Sequence, residues 1–363
     1  METRQIAFFG ATNSGKSTLV NDIAGQQVSL VSDVPGTTTD PVRKRIELPG
    51  IGICVLVDTA GYGDGGALGA ERERMTRAVI DSTDVAILLR SGHHDDDRWE
   101  SLLRKAEVPV VEVITDVQNP SHSRHDRESL LQAIQSAFPS EEESFMTGSL
   151  VRTGDTVLLV MPQDSEAPKG RLILPQVQMI RELLDRGCVP VCCTPARLQE
   201  ALATLKARPA LVITDSQVFK QVNDTVPTDC PLTSFSILLA AAKGDTKVFA
   251  DGARAIAGLR PGARILIAEA CTHVPDTEDI GRVKIPALLR KKQKDIDVTV
   301  ATGNDFPEDL SGYDLIIHCG ACVAGKALVR SRIRKARLAN IPITNYGLAI
   351  AYLQGMLDRI SLP

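Results

Sequence analysis

Aromatic side chains are scarce in this chain, 4% of 363 residues with a single tryptophan. Base stacking relies on such rings. The formal charge of −4 also gives no broad cationic field. Together these speak against a general nucleic-acid-binding role. No apolar run approaches the length needed to span a bilayer. The amino terminus lacks a basic segment followed by an apolar stretch and enters an apolar strand within a few residues. The expectation from these absences is a protein with no nucleic-acid partner, no membrane partner and a cytoplasmic location.

Cysteine is not scarce. The chain has eight, Cys54, Cys188, Cys192, Cys193, Cys230, Cys271, Cys319 and Cys322. In a long cytosolic chain, clustered cysteines point to metal or redox chemistry more often than to disulfides. Cys54 lies in an apolar strand at 53–57 and reads as packing. Cys188, Cys192 and Cys193 flank another apolar strand with no histidine nearby, and read as packing too. Cys271-Thr272-His273 and His318-Cys319-Gly320-Ala321-Cys322 have a different character, because each half combines thiols with imidazole.

The length exceeds one ordinary core and fits two or three domains. The first begins with Gly10-Ala11-Thr12-Asn13-Ser14-Gly15-Lys16-Ser17, a G-x-x-x-x-G-K-S loop after the apolar run 6–9 and before an amphipathic helix at 18–24. In such a loop the backbone N–H groups turn toward phosphates at a helix N-terminus. Gly10, Asn13, Ser14, Gly15, Lys16, Ser17 and Thr18 are therefore expected to hold a nucleotide. Lys16 supplies the cation and the Ser17 hydroxyl suits Mg²⁺.

Pro35-Gly36-Thr37-Thr38-Thr39-Asp40 is similar to the first switch of translation-factor-type GTPases, with Thr38 the choice for Mg²⁺ and γ-phosphate and Thr37 and Thr39 its competitors. Asp58-Thr59-Ala60-Gly61 resembles the second switch, Asp58 serving Mg²⁺ through water and the Gly61 N–H sensing the γ-phosphate. Asn13 with a G-T-T-x-D switch resembles GTPases that use K⁺ in the place of an arginine finger. Of the base-reading N-K-x-D only Asp116 is present, and Tyr62 follows Gly61 where many GTPases carry glutamine. Slow intrinsic hydrolysis of GTP to GDP follows.

Beyond a boundary near Ser144, strands alternate with helices (strands near 156–161, 189–194 and 211–215), the signature of a small parallel α/β layer. The apolar segment 231–242 suits a dimer face or, more plainly, a buried intrachain helix. A second alternation starts near 246 and places both Cys/His halves just past strand ends, the edge of a parallel sheet where ligands gather. Cys271, Cys319 and Cys322, with the fourth position open or taken by His273 or His318, fit a 4Fe–4S cluster or a tetrahedral zinc site equally well, and buried cysteines without metal are the third reading. The fold expected is α/β, a P-loop GTPase domain followed by two smaller parallel α/β domains.

The phosphate loop, P-G-T-T-T-D-P, D-T-A-G, E-A-P-K-G-R-L-I-L-P-Q at 166–176 and C-x-H…H-C-x-x-C, in this order, resemble the FeFe-hydrogenase maturation GTPases over essentially the whole chain. The resemblance implies a GTPase domain at 1–144, a dimerisation domain at 145–243 and an iron–sulfur domain at 244–363, acting as a homodimer. It implies that Cys271, Cys319 and Cys322 hold a 4Fe–4S cluster, and that a transient di-iron subcluster precursor is carried and handed to apo-FeFe-hydrogenase. Radical-SAM maturation enzymes are the other implied partners. The eroded N-K-x-D and the short segment after Asp116 depart from the pattern and bear on guanine affinity. Two alternatives remain. One is a tRNA-modification or ribosome-assembly GTPase, with the basic helix at 330–337 as its RNA surface or, more simply, a solvated face or protein-docking patch. The other is a zinc-stabilised regulatory NTPase.

Overall fold

The computed structural model describes residues 3–26, 41–61, 67–92, 95–115, 127–139, 145–163, 170–270, 279–303 and 305–363. Two compact units emerge, Met1–Glu142 with Gly325–Ser331, and Glu143–Ala324 with Arg332–Pro363.

The first unit runs β1 (Arg4–Gly10), α1 (Lys16–Ala24), β2 (Val42–Leu48), β3 (Gly52–Asp58), α2 (Ala67–Ile80), β4 (Val85–Arg90), α3 (Asp96–Lys105), β5 (Val110–Ile114) and α4 (Arg127–Ala137). Its sheet has the order β2-β3-β1-β4-β5, parallel except for β2. The runs in β1 and β4 are buried on both faces, as a sheet sandwiched by helices requires. Ile6 and Phe8 point into one helical layer, Ala7 and Phe9 into the other. The sequence VRKRIEL of β2 is largely exposed, and its charges suit an edge strand.

The second unit holds two sheets. The first is built from β6 (Thr156–Val160), α5 (Leu174–Asp185), β7 (Val189–Cys193), α6 (Leu198–Thr204), β8 (Leu211–Thr214), α7 (Phe219–Asn223), β9 (Leu232–Ser234) and α8 (Phe235–Lys243). The second is built from α9 (Thr246–Ala255), β10 (Ala263–Glu269), α10 (Ile285–Lys292), β11 (Ile296–Thr302), β12 (Leu315–His318), α11 (Lys326–Leu338), β13 (Ile343–Asn345) and α12 (Tyr346–Leu353). Both are four-stranded and fully parallel, in the orders β7-β6-β8-β9 and β11-β10-β12-β13. The matching orders reflect a repeat: PLTSFSILLAAAKG at 231–244 returns as PITNYGLAIAYLQG at 342–355. In each copy a short strand ends on a polar cap, Ser234 or Asn345, whose side chain accepts the N–H of Ile237 or Leu348 and starts the helix. Helix α12 packs against α8 and against the turn Ser216–Val218 that follows β8.

Two expectations are corrected here. The segment 231–242 is not a surface: Phe235, Ile237, Leu238, Leu239 and Ala240 are all buried within the chain. Cys192 is exposed rather than packed, while Cys54 and Cys188 are buried. Among the described residues no helix is long and apolar enough to cross a membrane.

Candidate functional site

The phosphate loop lies between the last residue of β1 and the first of α1. Its turns need left-handed backbone, supplied by Asn13 at φ 63° and Gly15 at φ 90°. Lys16 is almost wholly buried, and its ammonium donates to the Gly10 and Ala11 carbonyls at 2.9 and 2.8 Å. A cation is thus already lodged inside the loop. The Ser17 hydroxyl donates to Asp58 Oδ2 at 2.6 Å, which joins the end of β3 to the start of α1. Thr59 Oγ1 donates to the Phe8 carbonyl at 2.6 Å and fixes the following turn. Gly61 backs directly onto the loop: a Cβ there would lie 2.5 Å from the Thr12 Cα, so only glycine permits this approach. A lodged cation, a hydroxyl–carboxylate pair for a hard metal and a side-chain-free contact fit a Mg²⁺–nucleotide. Thr38, Tyr62 and Asp116 lie outside the described residues.

The second site forms at the carboxyl edge of the C-terminal sheet. Strands β10 and β12 are direct neighbours, with Ala268 opposite His318. The chain segments leaving them therefore run side by side. Cys319 N–H donates to the Ala268 carbonyl at 2.9 Å, and the Ala270 N–H donates to Cys319 Sγ at 3.1 Å. Ala270 is the residue before Cys271, so the two distant Cys/His halves start from one place. Cys271 and His273 themselves lie outside the described residues. Among the described residues no three potential ligands cluster.

Around Cys319 several polar groups are buried, most of them hydrogen-bonded, while Glu269 Oε1 and the Tyr346 hydroxyl are buried with no hydrogen-bond partner among the described residues. The Cys319 sulfur accepts a second N–H, from Ala321 at 3.4 Å. His318 is 1% exposed, with Nδ1 2.6 Å from the Cys319 carbonyl and Nε2 3.0 Å from Arg332 Nη1. Burial, and then the Arg332 guanidinium, push its pKa down to about 3, so the ring is neutral. Arg332 is also buried and donates to the carbonyls of Glu269 (3.2 Å) and Gly303 (2.6 Å). One guanidinium thereby ties the ends of β10, β11 and β12. Sequence reading put Arg332 on a solvated or docking face of a basic helix, and burial corrects that. The Glu269 carboxylate receives Arg282 Nη2 at 3.0 Å. From α8, the Lys243 ammonium donates to the carbonyls of Ala321, Ala324 and Cys322 at 2.6, 2.8 and 3.3 Å. A sulfur that collects two N–H donors beside buried cations suits an anionic metal–thiolate centre.

Sequence reasoning missed Lys243, Arg332 and Glu269. A signal existed for Lys243, since Ser236 and Lys243 are the polar interruptions of an apolar helix and sit on one helical face. Arg332 carried none, because Arg330, Arg334 and Lys335 on the same helix are equally basic.

Residues 5–116 match the family model for 50S ribosome-binding GTPases. Their similarity reaches the tRNA modification GTPase MnmE of Methylorubrum populi, 38% identical over 117 residues, covering 32% of this chain and 25% of that protein. GTPase Der of Lacticaseibacillus paracasei is 34% identical over 172 residues, covering 40% of this chain and 39% of that protein. The chain thus spans between about a quarter and two fifths of the length of these curated relatives. Among solved structures, Era of Aquifex aeolicus bound to GDP and aluminium fluoride aligns with 90% of this chain and all of its own, at 15% identity and a TM-score of 0.30. The first domain is a P-loop GTPase domain, of the class that binds GTP or GDP with Mg²⁺. Residues 146–244 match the dimerization domain of hydrogen maturase F, and residues 247–363 its tetramerization domain. With those two models covering more than half of its length behind the GTPase domain, the chain belongs to the hydrogen maturase F family.

Proposed function

We propose that this GTPase is a scaffold that binds a 4Fe–4S cluster, accepts a di-iron subcluster precursor and delivers it to apo-FeFe-hydrogenase. The observation that carries the reading is the 3.1 Å bond from the Ala270 N–H to Cys319 Sγ, which starts both halves of the Cys/His set from one sheet edge. Cys271, Cys319 and Cys322 are the thiolates of this proposal and His273 the exchangeable fourth ligand. When bound, the cluster would supply an iron with a replaceable ligand for a second iron unit. The protein's part is to gather three anchors at one sheet edge, where the half-buried Cys319 sulfur already receives two N–H groups.

The work divides over three domains, 1–144, 145–243 and 244–363. In the first, Thr38 closes over Mg²⁺ opposite Ser17 and Asp58, Asp116 receives the base, and K⁺ sits by Asn13. The chain works as a cytoplasmic homodimer with radical-SAM maturation enzymes as further partners. Its dimer contact is the open edge of the middle sheet. There β7 presents Val189, and α5 presents Leu174, Val177 and Leu184, all exposed apolar residues in a region matching a dimerization domain.

The test is anaerobic purification with reconstitution, an absorption spectrum, metal analysis and a maturation assay on apo-hydrogenase. Iron and sulfide at four per chain with hydrogenase activation support the scaffold. A colourless protein with one zinc per chain supports a zinc-stabilised NTPase and overturns it.

A further inference from the structure

Helix α8 turns one face toward the loop that carries Cys319 and Cys322. Ser236, Leu239 and Lys243, spaced i, i+3 and i+7, line that face. A side-chain carbon added to Gly320 would lie 3.8 Å from Leu239 and 3.9 Å from Ser236 Oγ, so the loop rests on the helix. Asn345 Nδ2 donates to the Ser236 carbonyl at 3.1 Å and joins the same helix to the end of β13. Lys243 ends the face. Its ammonium is met by three carbonyls of one turn, Ala321, Cys322 and Ala324. That turn is bent open by Ala321 at φ 50°, a left-handed conformation that an alanine adopts at a cost. A lysine only 6% exposed is also costly unless its donors are matched. The fold itself does not demand a cation there: in the repeated segment the equivalent residue is the neutral Gln354.

We propose that Lys243 is a positioning residue for the metal centre. From the middle domain it holds the Cys319–Cys322 turn in its cluster-accepting form and places a buried positive charge behind it. The assignment rests on the cluster reading above, and its consequences separate from that reading. An ammonium that spans three carbonyls restrains the turn with or without metal. Its charge lowers the cost of gathering anionic sulfur at one point and favours the more negative, reduced state of a cluster.

Two variants test it. Lys243→Met keeps the stem and removes charge and donors; Lys243→Gln is neutral but keeps an N–H₂ donor. In the metal-free full-length chain, amide exchange of residues 320–325 should speed up roughly tenfold or more in Lys243→Met, the effect expected from even one of the three charge-assisted hydrogen bonds it removes. Protection of β10 and β12 should stay as in the parent, and Lys243→Gln should recover part of the loop protection. In reconstituted protein, Lys243→Met should release iron to a chelator faster and titrate at a more negative midpoint potential. Should Lys243→Met lose protection throughout the domain, Lys243→Gln takes its place in both measurements. Unchanged exchange at 320–325 in the folded variant would overturn the assignment. So would a faster loop with unaltered iron release and potential in a parent that holds the cluster. A faster loop in a parent that holds no iron would leave the restraint standing and remove the cluster reading instead.

Discussion

Arg332 Nη1 lies 3.0 Å from His318 Nε2. A guanidinium can only donate, so Nε2 accepts and the ring proton sits on Nδ1, which donates to the Cys319 carbonyl at 2.6 Å. Both nitrogens are therefore engaged, and neither is open to iron in this geometry. This geometry favours His273 over His318 as the fourth ligand. It makes His318 the part that joins Arg332 to the ligand loop.

His318→Ala should accordingly weaken the fold before it affects the metal. Removing the acceptor costs about 1–3 kcal/mol, because a buried guanidinium loses one of its partners. Denaturant titration of the metal-free chain should show that loss, and reconstitution should still give close to parental iron per chain. Iron loss with unchanged stability of the metal-free chain would return His318 to the ligand set.

Lys16→Ala should reduce GTP hydrolysis by more than about a hundredfold, as expected when the cation serving a phosphoryl group is removed. The C-terminal site is built from other residues, so iron binding should persist. Parental turnover should be slow and faster in K⁺ than in Na⁺, given Asn13 in the loop. Equal turnover in mutant and parent would remove the phosphate-loop assignment, and equal rates in the two salts would remove the potassium ion.

How much of this was legible in the sequence follows from how local each feature is. The phosphate loop is eight consecutive residues with a strand before and a helix after, and it was found whole. The α/β alternation of the later domains was legible because buried parallel strands read as short apolar runs between amphipathic helices. Strands β2, β9 and β13 were not, being an exposed charged edge and two three-residue segments. Helix α8 was misassigned because a helix buried on all sides within its own chain has the same composition as one buried by a partner. Its neighbours, not its residues, decide the matter. The same holds for Arg332, whose burial depends on three strand ends that meet only in the fold.

Val177→Asp should turn a dimer into a monomer with little loss of stability. Val177 is 47% exposed and sits on α5 with Leu174 and Leu184, beside the open β7 edge. A charge there would be desolvated only in the associated form, at a cost of several kcal/mol in an apolar contact. Sedimentation at micromolar concentration checks it. A parent that is already monomeric, or a variant that still dimerises, would move the contact elsewhere.

The cysteines give the last test. Thiolate is a strong anionic ligand for iron, so replacing any one of Cys271, Cys319 or Cys322 by alanine should strip or severely destabilise a cluster. A histidine at one iron is weaker and exchangeable, so His273→Ala should assemble a cluster with an altered EPR signal and an altered capacity for an added ligand. That asymmetry suits a carrier: three fixed anchors hold the cube while one replaceable position takes on and later gives up a second iron unit. Each variant can be reconstituted anaerobically, its iron counted, and its activation of apo-hydrogenase measured. Cys319 carries the most weight, because its sulfur already receives the Ala270 and Ala321 N–H groups. Were Cys271→Ala to keep full iron and full maturation activity, the segment leaving β10 would not contribute to the centre. The meeting of the two strand ends would then need another explanation.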